Sequence, residues 1–141
     1  MGNGTEEIEE HEILYRRIPA VYYDVAAKQV TNDAFRPIKH DVTGLSVNRK
    51  KYSDAATVGA SGRASRQFYV ASILAARVRA CGAVVETRPL PSNPGHSEIA
   101  TLNYPAYIND PASIVDLGEQ IAATILEIEG PFIGTHIPTP E

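Results

Sequence analysis

Apolar and polar positions set out the elements of this chain before any chemistry is considered. Residues 13–18 (ILYRRI) hold β-favouring side chains and stop at Pro19, which predicts a first strand, with AVYYDV after it as a continuation or an edge. Asn32 and Asp33 mark a turn, residues 35–44 (FRPIKHDVTG) are loop-like, and LSVNR (Leu45–Arg49) alternates as a half-buried strand should. Ser53 followed by Asp54 is an N-cap signal. The GASG run at 59–62 argues against one unbroken helix, so a main helix is predicted over 64–80, with Phe68, Ser72, Ala75 and Arg79 at helical spacing and Gly82 as its stop. AVVET at 83–87 sets two valines between a glycine and a proline and is expected in the sheet interior. A proline-rich connection leads to a short strand over 97–102, and NYPAYINDP reads as a loop. Asp110 offers an N-cap and Pro111 the first helical position for a second main helix, whose stripe Ile114, Leu117, Ile121, Ile125 and Ile128 runs to a Gly130-Pro131 stop.

The order strand, strand, helix, strand, strand, helix predicts an α+β fold, a small two-layer domain with a short-stranded sheet and two main helices. A length of 141 residues with 43% apolar residues suits one domain. That domain is expected over 13–130, between a flexible acidic tail at 1–12 and a Gly/Pro-rich tail at 131–141. No apolar run approaches the ~20 residues of a membrane span, and the acidic N-terminus is unlike a secretory signal. The lone cysteine, Cys81, agrees with a reducing compartment, so a cytoplasmic location is expected.

Charge changes sign twice along the chain. Residues 1–15 carry five acids and no Lys or Arg, residues 16–88 hold all thirteen Lys and Arg against five acids, and residues 89–141 hold seven acids and nothing basic. A basic middle is a candidate nucleic-acid surface. The alternative, preferred because the basic residues are scattered and not interleaved with aromatics, is that the acidic C-terminal third folds back and neutralises the middle.

Candidate chemistry begins at GHSEI, where His96 and Glu98 share a face if the segment is a strand. The H-x-E of zinc deaminases needs a downstream P-C-x-x-C, which is absent here, and a metal site from His96, Glu98, His40 and Asp41 is weaker than a loop-shaping role, so no metal is expected. GASGR (59–63) has residue types that bind phosphate ahead of a helix, though no strand precedes it, and Cys81 at a helix end reads as packing. Nucleotide-binding and hydrolase-elbow motifs are missing, and no cofactor is expected.

Arg16 in the first strand, Ser46 in the second and Glu98 in the last resemble the Arg, Ser, Glu triad of ADP-ribosyltransferases. That resemblance implies a nicotinamide dinucleotide anchored by Arg16, Ser46 lining the nicotinamide pocket and Glu98 polarising the ribose hydroxyl. Leu45-Ser46-Val47 replaces the usual Ser-x-Ser, and His96 lies two before Glu98. Over roughly residues 14–100, the phrases LYRRI, AFRPIKHDVTGLSVNRKKY and PSNPGHSEI resemble a group of small uncharacterised bacterial proteins. Arg36, His40, Asp41, His96 and Glu98 fall within those phrases and are the candidate ligand-binding residues. The reading favoured by the sequence is a non-catalytic binding or assembly component of a bacterial cytosolic system, contacting a protein partner through its terminal segments. The transferase and the nucleic-acid binder are the alternatives.

Overall fold

The computed structural model describes residues 3–137. Its strands are β1 (Ile13–Pro19), the short β2 (Tyr23–Asp24) and β3 (Gln29–Val30), β4 (Leu45–Arg49), β5 (Gln67–Leu74), β6 (Val85–Thr87), β7 (His96–Ile99) and β8 (Glu127–Ile133). Six of them form one sheet in the order β6-β7-β4-β1-β5-β8 with every neighbouring pair antiparallel, while β2 and β3 make a separate hairpin. The helices among the described residues are α1 (Ala55–Ala60), α2 (Ala75–Ala80), α3 (Tyr104–Asn109) and α4 (Pro111–Ala122). The fold is α+β, as the residue pattern predicts. None of these helices is long and apolar enough to cross a membrane.

Period-two alternation sorts the sheet into two unlike faces. Leu14, Ile18, Leu45, Val47, Ile73 and Ile99 are fully buried on one face, against Val78 of α2, Ile114 and Ile121 of α4, and Phe35 of a 3-10 turn at Asn32–Phe35. On the other face Tyr15 and Val70 pack with Ala55 and Val58 of α1 and with Phe132 of β8. The helices start where the sequence can cap them: Asp54, Asn103 and Asp110 each accept a hydrogen bond from the backbone N–H three residues on. Gly82, at φ +96°, closes α2: its N–H donates to Arg79 and that of Ala83 to Val78.

Of the two main helices expected from the pattern, the second forms but ends early, and most of the first does not form. Most of the helix predicted over 64–80 is β5, a strand interior to the sheet, and only Ala75–Ala80 is helical. β5 is buried on both faces from Val70 to Ile73, so its period of two is hidden in an apolar run. The helix predicted to reach Ile128 ends at Ala122, where Thr124 turns back to bond the Ile121 carbonyl through both its N–H and its hydroxyl. Ile125 and Ile128 still reach the same core, the latter from β8, so one stripe satisfies two geometries. The AVVET segment is not interior. β6 covers only its last three residues and lies at the sheet edge, with Val84 53% exposed. NYPAYINDP, expected as a loop, contains α3.

Neither end of the described chain is the tail that the composition suggests. Ile8 is buried in the core, and residues 4–12 wrap the fully buried Arg49 of β4. Arg49 donates to both carboxylate oxygens of Glu12, at 2.8 and 2.7 Å, and to the Glu6 carbonyl at 2.9 Å. Tyr52 donates its hydroxyl to Glu6, and Lys51 pairs with the same carboxylate at 3.1 Å. The carbonyls of Glu12 and Glu10 accept from Ala75 and Ala76, supplying the cap that Leu74 cannot give α2. The acidic N-terminal block, more than the C-terminal third, thus neutralises the basic middle: Arg49, Lys51 and Arg79 all pair with it. At the other end, residues 127–133 are β8, and His136 bridges to Arg63. The final four residues of the expected C-terminal tail lie outside the described ones.

These contacts give three expected outcomes. Glu12→Ala strands a buried guanidinium and should cost about 3–5 kcal/mol, read by urea unfolding. Val47→Asp should unfold the domain while the exposed Val84→Asp changes stability by less than about 0.5 kcal/mol, read by thermal melting. The third concerns acid. The Tyr52 hydrogen bond, outweighing burial and joined by Lys51, holds the Glu6 carboxyl at about 2; for Glu12, burial pushes upward but the Arg49 and backbone hydrogen bonds win and lower it. Carboxyls depressed by folding stabilise above the unfolded value of 4.5, so stability should drop as the pH falls from there towards 2. Melting followed over that window checks it, and Glu12→Gln should flatten the drop.

Candidate functional site

β4 and β7 bring together the polar residues that the sequence marks. Their register sets Ser46 opposite Glu98 and Asn48 opposite His96. Because Leu45, Val47 and Ile99 face the core, alternation places all four on the other face, where each is half-buried. The α1 helix covers the β1, β5 and β8 part of that face, leaving this part beside it.

Side-chain bonds lock the group. Ser46 Oγ lies 3.2 Å from His96 Nε2 across the diagonal of the pair, and His96 Nδ1 lies 2.9 Å from the Arg88 carbonyl. A carbonyl only accepts, so Nδ1 donates to it, and the tautomer protonated at Nδ1 alone leaves the Nε2 lone pair to accept from the Ser46 hydroxyl. Asn93 donates to Asn48 Oδ1 at 2.8 Å. Glu98 accepts from the Thr43 hydroxyl at 2.7 Å and faces Arg88 Nε at 3.5 Å. Glu86 stands opposite Glu98 in the β6–β7 register, and the Arg88 guanidinium bridges these like charges.

Arg16 is not part of this group. It lies between Leu14 and Ile18, both fully buried, and so leaves β1 on the core face, the one packed against α2 and α4. The β1–β4 ladder holds only the Leu14–Arg49 and Tyr15–Asn48 pairs, and beyond them the Arg16 guanidinium bridges to backbone, donating to the Ser46 carbonyl at 3.0 Å and the Ala34 carbonyl at 3.1 Å. Burial lowers its pKa to about 10, opposed by Asp41, so it stays charged at neutral pH. Arg16 and Glu98 therefore lie on opposite faces, and the triad suggested by sequence order does not assemble.

The remaining candidates shape their own loop. Arg36 pairs with Asp33 at 3.1 Å, Asp41 accepts from the Ile38 N–H at 2.7 Å, its carbonyl accepts from the Tyr104 N–H, and His40 is exposed. No described hydrogen bond or ion pair joins Arg36, His40 or Asp41 to His96 or Glu98. Among the described residues no three His, Cys, Asp or Glu side chains gather as metal ligands. The GASGR run ends α1 instead of opening a helix. Gly59 and Gly62 allow Phe132 and Phe68 to approach where a Cβ would stand 2.5 and 2.2 Å from their rings. Of the basic residues in the middle of the chain, Arg49 is buried, and Arg36, Lys51, Arg79 and Arg88 are paired with carboxylates.

A second feature went unmarked by the sequence reading. A groove of ≈ 560 Å³ separates the β2–β3 hairpin from the end of α4 and the start of β8, lined by Tyr23, Val30, Ile125 and Ile128 among others. β8 runs along it as the outermost strand of the sheet. The signal was the alternation Leu126, Glu127, Ile128, Glu129, which the helical stripe through Ile125 and Ile128 concealed. Comparison with models of protein families, with curated proteins and with solved structures finds no match to this chain.

Proposed function

We propose that this chain is a binding component that captures an extended segment of another protein as an added strand on β8. The observation that carries the reading is an edge strand, with no strand outside it among the described residues, beside a groove of mixed lining in which Val30, Ile125 and Ile128 stand with Lys28 and Gln29. Such an edge offers backbone hydrogen bonds for affinity, and flanking pockets read alternate side chains. The pleat specifies the occupant. Ile128 pairs with Ala71 on the core side, where the groove lies, while Glu127 and Glu129 pair with Ser72 and Val70 on the α1 side. A strand laid on β8 would alternate apolar side chains towards the groove with basic side chains towards the two glutamates, as opposite charges on neighbouring strands favour. Residues 89–141 contain no Lys or Arg, which supports the same charge preference. Pro131 has no N–H to offer, so the docking length centres on Glu127–Glu129. A bacterial cytosolic setting is part of the proposal, supported by the phrase resemblance and by a single, half-buried thiol at Cys81.

A synthetic octapeptide alternating Val and Lys tests it against one alternating Val and Glu, with binding followed by backbone amide NMR shifts. The Lys peptide should shift β8 and the groove residues, and Glu127→Lys with Glu129→Lys should weaken it about tenfold or more. Equal binding of both peptides, shifts elsewhere, or indifference to the double substitution would contradict the proposal.

A further inference from the structure

We propose that Ser46 and His96 form a nucleophile and base pair, giving the open face of β4 and β7 an acyl-transfer activity towards small activated carboxylic esters. The activity is separate from docking at β8, and neither depends on the other. Three features carry it. The Ser46 hydroxyl lies 3.2 Å from His96 Nε2. The Arg88 carbonyl, 2.9 Å from Nδ1, fixes the tautomer in which Nε2 is the acceptor, the role that an orienting group plays behind a catalytic imidazole. Asn48 supplies the third part: it stands directly opposite His96, and Asn93 occupies its Oδ1. Its Nδ2 hydrogens then have no acceptor among the described residues, which leaves a side-chain amide donor on the same face for a developing oxyanion. All three side chains sit on paired strands, not on a mobile loop, so their spacing is held by the sheet.

The reaction balances without a cofactor. Ser46 Oγ attacks the ester carbonyl carbon as its proton passes to His96 Nε2. The bond from that carbon to the alkoxy oxygen then breaks, and the leaving alcohol takes the proton from His96. Water attacks the resulting acyl-serine by the same route, giving its proton to Nε2, and the acid leaves as Ser46 recovers its proton. Half-burial of Ser46 and His96 on an open sheet face suits a small ester presented from solvent.

An alkyl fluorophosphonate reads the pair directly, because Ser46 Oγ would displace fluoride from phosphorus and form a stable P–O bond while His96 takes the proton. Intact-mass and peptide analysis of the full chain should find one adduct, on Ser46. His96→Gln should slow labelling by ~10²–10⁴-fold and Asn48→Ala by ~10²-fold, with folding of each variant checked by melting. Wild-type protein unfolded in urea should not label, which keeps the test decisive even where a variant fails to fold. Hydrolysis of p-nitrophenyl acetate should vanish in Ser46→Ala. No adduct, an adduct on another hydroxyl, or Ser46 labelling at an unchanged rate in His96→Gln or in urea would overturn the proposal and leave the Ser46–His96 contact as a structural hydrogen bond.

Discussion

The constraint on which the rest depends is the burial of Arg49. A guanidinium removed from water must have its N–H donors met, and the charge needs a partner, or the fold bears a cost comparable with its whole stability. Here Glu12 takes Nε and Nη2 as a fork, and the Glu6 carbonyl and carboxylate take Nη1. The partners come from a segment that composition alone would leave in solvent. Once drawn in, that segment inserts Ile8 into the core, caps α2 through the Glu10 and Glu12 carbonyls, and brings Glu7 and Ile8 beside Val85–Arg88 of the β6 edge. One buried charge thereby organises a sheet edge, a helix start and one end of β4.

β4 links this constraint to the candidate chemistry. Arg49 points into the core at the end of the strand, so Asn48 and Ser46 must point the other way. β7, paired alongside, sets His96 and Glu98 against them. The open face is polar because β4 and β7 bury their alternate residues so completely: Leu45, Val47, Ser97 and Ile99 are all fully buried. The two edges of the sheet differ correspondingly. β6 has residues 7 and 8 beside it, whereas β8 borders a groove and has no strand outside it among the described residues.

Much of this was legible in the chain, and the failures share a physical origin. β1, β4 and the Asp110-Pro111 helix start were readable because each has a clear period or cap. The same cap logic applied to Asn103 ahead of Pro105 and would have found α3. β5 was hidden because a strand buried on both faces loses its alternation, and Phe68, Ser72 and Ala75 happen to fall at helical spacing. Valines at 84 and 85 read as interior although only Val85 turns inward. Ser46, His96 and Glu98 lie together because β4 and β7 are neighbours, a pairing that sequence order does not specify. That order misplaced Arg16, whose face depends on the alternation of β1 between two buried residues. The role of residues 4–12 was not legible, because nothing local marks Arg49 as the one basic residue that the core encloses.

Hydrogen exchange at Ala75 and Ala76 tests the central claim most directly, because their amides bond the Glu12 and Glu10 carbonyls and to no side-chain cap. If residues 4–12 are built into the fold around Arg49, these two amides exchange only through the opening that also exposes the β4 amides, and Glu12→Ala releases them first. Exchange of Ala75 and Ala76 at the rate of an uncapped helix start in the wild-type protein, with β4 still protected, would contradict the account.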